Sequence, residues 1–313
     1  IINKNKNIKM KILVTGSNGL LGSALKKTLG NNHIYHTRED ANLLNTAKTN
    51  KYIKKCVDEG VDTIIHVAAI VGGLKANMTH GDRFFSDNYK LNHNVLNAAF
   101  ENKVPNLVNV LSTCIFPATG IYPLTKGQID IGPPHESNKG YALAKRLSGY
   151  ETKILGRMLN ANWFSVIPSN LYGPNDNFNL DNSHLIAGMI HRAYLAKKNN
   201  EKFLIWGDGS PRRQFVYAED LANLILWSIN GWKSTEHCMM MGEEEYSVMD
   251  IANIIKNRFG FSADEIYFDP SKPAGQFRRP ARTDICDFKF KKIEDGLHET
   301  IDWFIENYEI ARK

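Results

Sequence analysis

The sequence predicts an α/β chain, with a doubly wound parallel sheet followed by a smaller C-terminal α/β lobe. Three observations carry this. Apolar strands alternate with helical stretches through the first half of the chain, the pattern of a parallel sheet covered on both faces. A glycine-spaced turn joins the first strand directly to the first helix. After Pro174 the alternation fades into an Asn/Asp-rich stretch, 175–183, and shorter elements follow.

The elements read in order. Lys11–Val14 is an apolar strand, and Ser23–Leu29 a helix stopped by Gly30. Strands follow at His33–His36 and Thr63–Ala69, with a helix over Thr46–Glu59 between them. A long helix covers Asp87–Glu101, then strands at Leu107–Leu111 and Phe164–Pro168. Right-handed crossovers wind such units on both sides of one sheet. Beyond Pro174, Leu185–Lys198 is helical, Phe203–Trp206 a strand and 207–211 a turn. Asp220–Ile229 is an amphipathic helix that returns to the first domain. Ser247–Arg258 and Leu297–Tyr308 are helices of the second lobe. The expected division is therefore 10–172 with a return segment near 214–240 for the nucleotide domain. The substrate lobe takes 173–213 and 241–313.

Composition narrows the function. Of 313 residues, 42% are hydrophobic and 23% charged, which fits a globular chain and not a disordered one. No window reaches the roughly 18 apolar residues of a membrane helix. The first nine residues are polar, so a frayed extension before Met10 is expected rather than a signal peptide. The net charge of +6 is spread along the chain without a basic run, which speaks against nucleic acid as the partner. Four widely spaced cysteines give no metal-ligand pattern and suit the cytoplasm.

Gly16, Gly19 and Gly22 form G-x-x-G-x-x-G between strand and helix. Such a turn lets backbone approach a pyrophosphate and aims helix N–H groups at it, the Rossmann arrangement for a dinucleotide. The loop 16–22 (Gly16, Ser17, Asn18, Gly19, Leu20, Leu21, Gly22) is therefore the expected cofactor cradle. After the second strand comes Arg38 where NAD enzymes carry an acid, so NADP(H) is expected; the alternative is a solvated Arg38 paired with Glu39 or Asp40.

Tyr141 and Lys145 lie four apart, on one helix face. An adjacent ammonium should lower the phenol's pKa. Ser112 ends the strand 107–111, at the carboxyl edge where sheet ligands bind, and can hydrogen-bond a substrate oxygen beside Tyr141. The structural alternatives are a core hydroxyl and a buried helix tyrosine. Serine, tyrosine and lysine behind an N-terminal glycine loop are far more specific together than apart, and point to hydride and acid–base chemistry at a carbonyl carbon.

The chain resembles the GDP-L-fucose synthase family, the GDP-4-keto-6-deoxymannose 3,5-epimerase/4-reductases of the extended short-chain dehydrogenase/reductases. The carrying segments are residues 66–74 (HVAAIVGGL), 111–117 (LSTCIFP), 140–145 (GYALAK) and 166–178 (VIPSNLYGPNDNF). Ser183-His184, 206–215 (WGDGSPRRQF) and 272–276 (KPAGQ) complete them. The resemblance runs from about Met10 to the C-terminus. It implies epimerisation at C3 and C5, with Cys114 and His184 as base and acid, then reduction at C4 by NADPH with Tyr141 as proton donor. It also implies cofactor contacts at Ala68, Leu111, Lys145, Pro168, Ser169, Asn170, Leu171 and His184. The GDP-sugar would meet Arg192, Trp206 and Arg213, and a homodimer would form through the helix 140–159. Two positions depart from the family: Ala274 stands where Asp is common, and Ser17-Asn18 where some members have Arg. The rivals are another nucleotide-sugar epimerase or dehydratase, and a non-enzymatic dinucleotide-binding protein. A dehydratase would place an acidic pair after the serine, where this chain has Thr113-Cys114; a non-enzymatic relative often loses the Tyr or Lys kept here.

Overall fold

The computed structural model describes residues 10–232, 234–271, 277–285 and 287–313. The extension 1–9, the segment 272–276 with Ala274, and Cys286 lie outside the described residues. The first half comprises β1 (Ile12–Thr15), α1 (Leu20–Leu29), β2 (Ile34–His36), α2 (Thr46–Asp58), β3 (Thr63–His66), α3 (Leu74–Thr79), α4 (Gly81–Glu101) and β4 (Asn106–Val110). It continues with α5 (Lys139–Leu159), β5 (Asn162–Pro168) and β6 (Asn170–Tyr172). The remainder is α6 (Leu185–Asn199), β7 (Phe203–Trp206), β8 (Arg212–Tyr217), α7 (Ala218–Gly231), β9 (Cys238–Met240), β10 (Glu245–Ser247), α8 (Val248–Phe259), β11 (Ile266–Asp269) and α9 (Ile293–Glu306).

A six-stranded parallel sheet runs in the order β2-β1-β3-β4-β5-β9. β1 and β3 are buried along their whole length and β4 and β5 beyond their first residue, as expected where helices cover both faces. On one face α1 packs against α7; on the other α2, α4 and α5 lie side by side. The strand order reverses between β1 and β3, and ligands bind above the carboxyl ends at such a point. The second lobe holds a β10-β8-β6 sheet and a parallel β11-β7 pair. Its core packs α6, α8 and α9 against β8 through residues such as Phe178, Ile190, Phe203, Ile251 and Phe304.

The expected elements of the first half are all present, with shifted ends. α1 begins at Leu20 and α4 at Gly81, earlier than the apolar pattern indicates. β8 and β9 are strands the pattern does not announce. Both take ladder partners from distant segments, Asn170–Tyr172 for β8 and Val166–Pro168 for β9. No helix among the described residues is long and apolar enough to cross a membrane.

One buried relay locks the ends of β1 and β3 together. The N–H of Val67 donates to Thr15 Oγ1 at 3.2 Å, and Thr15 Oγ1 lies 2.8 Å from His66 Nδ1. His66 Nε2 lies 3.0 Å from Asn92 Oδ1 on α4. With the hydroxyl as donor to Nδ1, the ring donates through Nε2 and is neutral. Burial, with the Lys145 charge adding to it, pulls the ring down to about 3. The unfolded chain takes up this proton near pH 6.5 and the folded chain refuses it, so stability is full above 6.5 and falls as pH drops towards 3, by about 1.4 kcal/mol per pH unit. Between pH 7.5 and 5 the wild type should lose about 2 kcal/mol more than His66→Gln, measured by urea unfolding; equal losses would place the acid sensitivity elsewhere.

Candidate active site

The loop after β1 is built for close approach. Gly16 has φ of 72°, and a Cβ there would lie 2.7 Å from the Cα of Ala68. A Cβ at Gly22 would lie 2.2 Å from the carbonyl oxygen of Gly16. Only glycine lets the helix start this near the strand. The first turn of α1 has no side-chain cap, so its N–H groups are available to an anion. Buried Ser17 donates to the carbonyl of His36 at 2.9 Å and ties the loop to β2, while Asn18 faces solvent. Leu20 and Leu21 begin the helix. Arg38 is exposed just past β2. The carboxylate of Asp40 accepts from the Thr37 N–H at 2.7 Å and its hydroxyl at 3.0 Å, engaging that acid in the turn. The residues present thus fit a dinucleotide.

At the end of β4 the chain enters a 3-10 turn, Thr113–Ile115, which Ser112 caps by accepting from the Cys114 N–H at 3.3 Å. Cys114 is 6% exposed and shares an apolar cluster with Leu111, Phe116, Ala142 and Tyr141. Lys145, 1% exposed, donates to the carbonyl of Val110 at 2.7 Å. Ser112, Cys114, Tyr141 and Lys145 therefore converge at the carboxyl edge of the sheet. Burial sets their titration. It pulls Lys145 down to about 8, opposed by the Cys114 charge. It pushes the Cys114 thiol up, while the Ser112 hydroxyl, Arg279 and Lys145 pull it back. It also pushes the Tyr141 phenol up, with Cys114 adding to the rise. The expectation that Lys145 lowers the phenol is corrected here: burial dominates and pushes it up, towards the neutral form.

The remaining candidates come from the other lobe. His184 is exposed at the N-terminus of α6, at the end of a loop held by Asn179, whose side chain accepts from the Asp181 and Asn182 N–H groups. The Gly73 N–H donates to the Asn182 carbonyl at 3.1 Å, docking this loop on the segment after β3. Among the described residues no hydrogen bond or ion pair joins His184 to Cys114 or Tyr141. The charge of His184 acts instead on buried Asp176, whose carboxyl burial pushes up. Arg192 stacks 5.0 Å over the ring of Trp206, which is 38% exposed, and donates to Leu204 at 3.3 Å. Burial pulls Arg192 down to about 10. Arg213, on β8, donates to the carbonyl of Arg212 at 2.7 Å. Pro168 and Ser169 are buried at the end of β5, Ser169 accepting from the Gly242 N–H at 3.2 Å; Leu171 is half-buried. Asn170 is exposed and donates to Gln214 at 2.9 Å. Sequence reading misses Asp176, Arg146 and Arg279, which no spacing marks; Arg146 is signalled only by following Lys145 directly.

A family model for the NAD dependent epimerase/dehydratase family matches residues 12–240, the span from the glycine loop through the last strand of the main sheet. The chain belongs to this family. Within it, the chain is 38% identical to a GDP-L-fucose synthase of Dictyostelium discoideum, over 97% of this chain and 98% of that protein. It is 32% identical to a GDP-L-colitose synthase of Yersinia pseudotuberculosis, over 95% and 98% of the two chains. A GDP-L-fucose synthetase of Naegleria fowleri bound to NADP superposes with a TM-score of 0.88 at 34% identity, covering 99% of this chain and 96% of that one. The epimerase/dehydratase fold accounts for the glycine cradle and its packing on Ala68. Gly22→Ala should therefore weaken NADPH binding at least tenfold, read by fluorescence titration; unchanged binding in a folded variant would show that the cradle yields.

Proposed function

We propose that this enzyme converts GDP-4-keto-6-deoxy-D-mannose to GDP-L-fucose, by epimerisation at C3 and C5 and then NADPH-dependent reduction at C4. The observation that carries this reading is the thiol of Cys114 beside the Ser112, Tyr141 and Lys145 set. A simple ketone reductase needs only the latter three; a thiol facing the same carbonyl serves proton transfer at the neighbouring carbons. The GDP-sugar enzymes among the relatives support it.

The C4 ketone makes the protons at C3 and C5 acidic. Cys114 and His184 carry these protons: as a C–H bond breaks, its electron pair moves into an enolate whose charge rests on O4. Ser112 and Tyr141 donate hydrogen bonds to that oxygen. Return of the proton to the opposite face inverts the centre. Bound NADP(H) supplies the hydride to C4. Tyr141 then gives its proton to O4, and Lys145 beside it holds the ribose of the cofactor. Gly16, Ser17, Asn18, Gly19, Leu20, Leu21 and Gly22 cradle the pyrophosphate, and Arg38 meets the 2′-phosphate. Ala68, Leu111, Pro168, Ser169, Asn170, Leu171 and His184 complete the cofactor site. Arg192, Arg213 and Trp206 hold the GDP portion, two guanidiniums for the diphosphate and an aromatic face for the base. The nucleotide domain takes 10–172 with a return segment near 214–240, and the substrate lobe 173–213 and 241–313, with β6 and β8 at the boundary joining β10 of the lobe in one sheet.

Incubation with NADPH and GDP-4-keto-6-deoxymannose should yield GDP-L-fucose. Tyr141→Phe should slow reduction at least a hundredfold while solvent deuterium still enters C3 and C5; Cys114→Ser should lose most of that exchange. Wild-type exchange in Cys114→Ser would remove the thiol from the mechanism.

A cytoplasmic homodimer completes the reading. Cys56, Cys114 and Cys238 are free and buried, as in a reducing compartment. The outer faces of α4 and α5 expose Phe85, Tyr89, Leu147, Ile154 and Met158, an apolar strip that a second copy would cover. Ile154→Asp should convert a dimer to monomers in sedimentation velocity; a wild-type protein that sediments as a monomer would refute the pairing.

A further inference from the structure

Two arginines that lie far apart in sequence hold the turn that carries Cys114. Arg146 follows Lys145 on α5. Its Nε donates to the carbonyl of Ile115 at 2.9 Å, its Nη2 reaches the same oxygen, and its Nη1 donates to Gly132 at 3.0 Å. Arg279 approaches from the opposite side, and its Nη2 donates to the carbonyl of Phe116 at 2.9 Å. The two residues that follow Cys114 thus each present their carbonyl to a different guanidinium.

Arg279 is placed by a strap, Phe277–Ile285, hydrogen-bonded to three separate parts of the chain. The strap pairs with Leu124 through the Leu124 N–H to Pro280 at 2.8 Å and the Arg282 N–H to Leu124 at 2.8 Å. Gln214 on β8 grips it from both sides, accepting from the Ala281 N–H at 2.8 Å and donating to the Ala281 carbonyl at 3.1 Å. Its far end is fixed to β9, where the Asp284 side chain accepts from the Met239 N–H at 2.9 Å. Both cations are therefore fixed by the fold rather than free on the surface.

We propose that Arg146 and Arg279 are positioning residues for Cys114: they bracket its turn by the backbone and supply the positive charge that lets its sulfur exist as thiolate in a buried pocket. This rests on the reading of Cys114 as a proton carrier and deepens it. The step served is one in which thiolate sulfur takes a proton from C3 or C5, an S–H bond forms, the C–H bond breaks, and its electron pair enters the enolate. The groups facing the sulfur are Ser112 on its own turn, Tyr141, Lys145 and Arg146 on α5, and Arg279 on the strap. The rest of the pocket wall is apolar: Leu111, Ile167, Met239 and Ala281. In such surroundings the thiolate draws its stabilisation from the Ser112 hydroxyl, the cations and its own backbone N–H.

The test is the pH dependence of Cys114 alkylation by iodoacetamide in the ligand-free protein, followed on the Cys114 peptide by mass spectrometry. Arg279→Met and Arg146→Met should each raise the titration midpoint by about one pH unit, slowing alkylation about tenfold below the midpoint. Arg279→Lys and Arg146→Lys keep the charge and should stay near the wild-type midpoint. Met variants that fold and titrate as wild type would overturn the proposal, as would Lys variants shifted as far as Met. If either Met variant fails to fold, the Gln variant replaces it, and an unchanged midpoint there is equally decisive against the bracket. Because alkylation needs no sugar, its outcome is independent of whether exchange at C3 and C5 takes place.

Discussion

A buried ammonium sets the register of the active site. Lys145 is almost wholly withdrawn from solvent and donates to the Val110 carbonyl, which pins α5 to the end of β4. Burying a charge is costly unless it is hydrogen-bonded and matched by neighbouring groups, and burial accordingly pulls Lys145 down to about 8. The helix can come this close because it lacks side chains where it meets the sheet: a Cβ at Gly149 would lie 2.9 Å from Leu111 Cδ1, and one at Gly156 only 2.5 Å from Trp163 Cβ. Once Lys145 is fixed, Tyr141 falls one turn earlier on the same face, and Arg146 reaches across to the turn of Cys114.

The other half of the site hangs on the second lobe, and the strap 277–285 joins the two halves. It contacts β8, the Leu124 loop and β9 within nine residues. Arg213 sits on β8 with the strap's Arg279 close enough for their charges to oppose one another, while the Phe277 carbonyl accepts from the Arg212 N–H at 2.8 Å. Mutual repulsion of guanidiniums is tolerated where an anion is to be received, because the bound anion relieves it. His184 follows an asparagine-braced loop docked on the Gly73 segment, so its position is set independently of the strap.

Local patterns made half of this legible. The glycine loop declares itself because its chemistry is written in consecutive residues, and Tyr141 and Lys145 because a helix brings spacing of four onto one face. The early strands are apolar runs with helices between them. What the pattern does not carry is long-range pairing. β8, just past the 207–211 turn, shows no strand signal until its partners on β6 and β10 are known, and Cys238–Met240 is too short to show a period. Arg146 and Arg279 look like solvated charges in the sequence; only the fold turns their guanidiniums onto the carbonyls behind Cys114. The predicted lowering of the Tyr141 phenol failed for a related reason, since desolvation depends on everything packed around the ring and the helix spacing reports only one neighbour.

Burial moves all three central groups toward their neutral forms: the phenol and the thiol up, the ammonium down. A pocket that disfavours charge on its own side chains stabilises charge on the substrate only through donors already in place. In the proposed reaction Ser112 and Tyr141 are such donors to O4 when it becomes negative. Isomerisation and reduction both pass through that state, the first as an enolate and the second as an alkoxide accepting a proton. In the proposed reaction one pocket with two hydroxyls therefore meets the demands of both stages. The cations ranged behind the thiol give the first stage its additional requirement, a sulfur able to give up its proton and recover it without leaving the site.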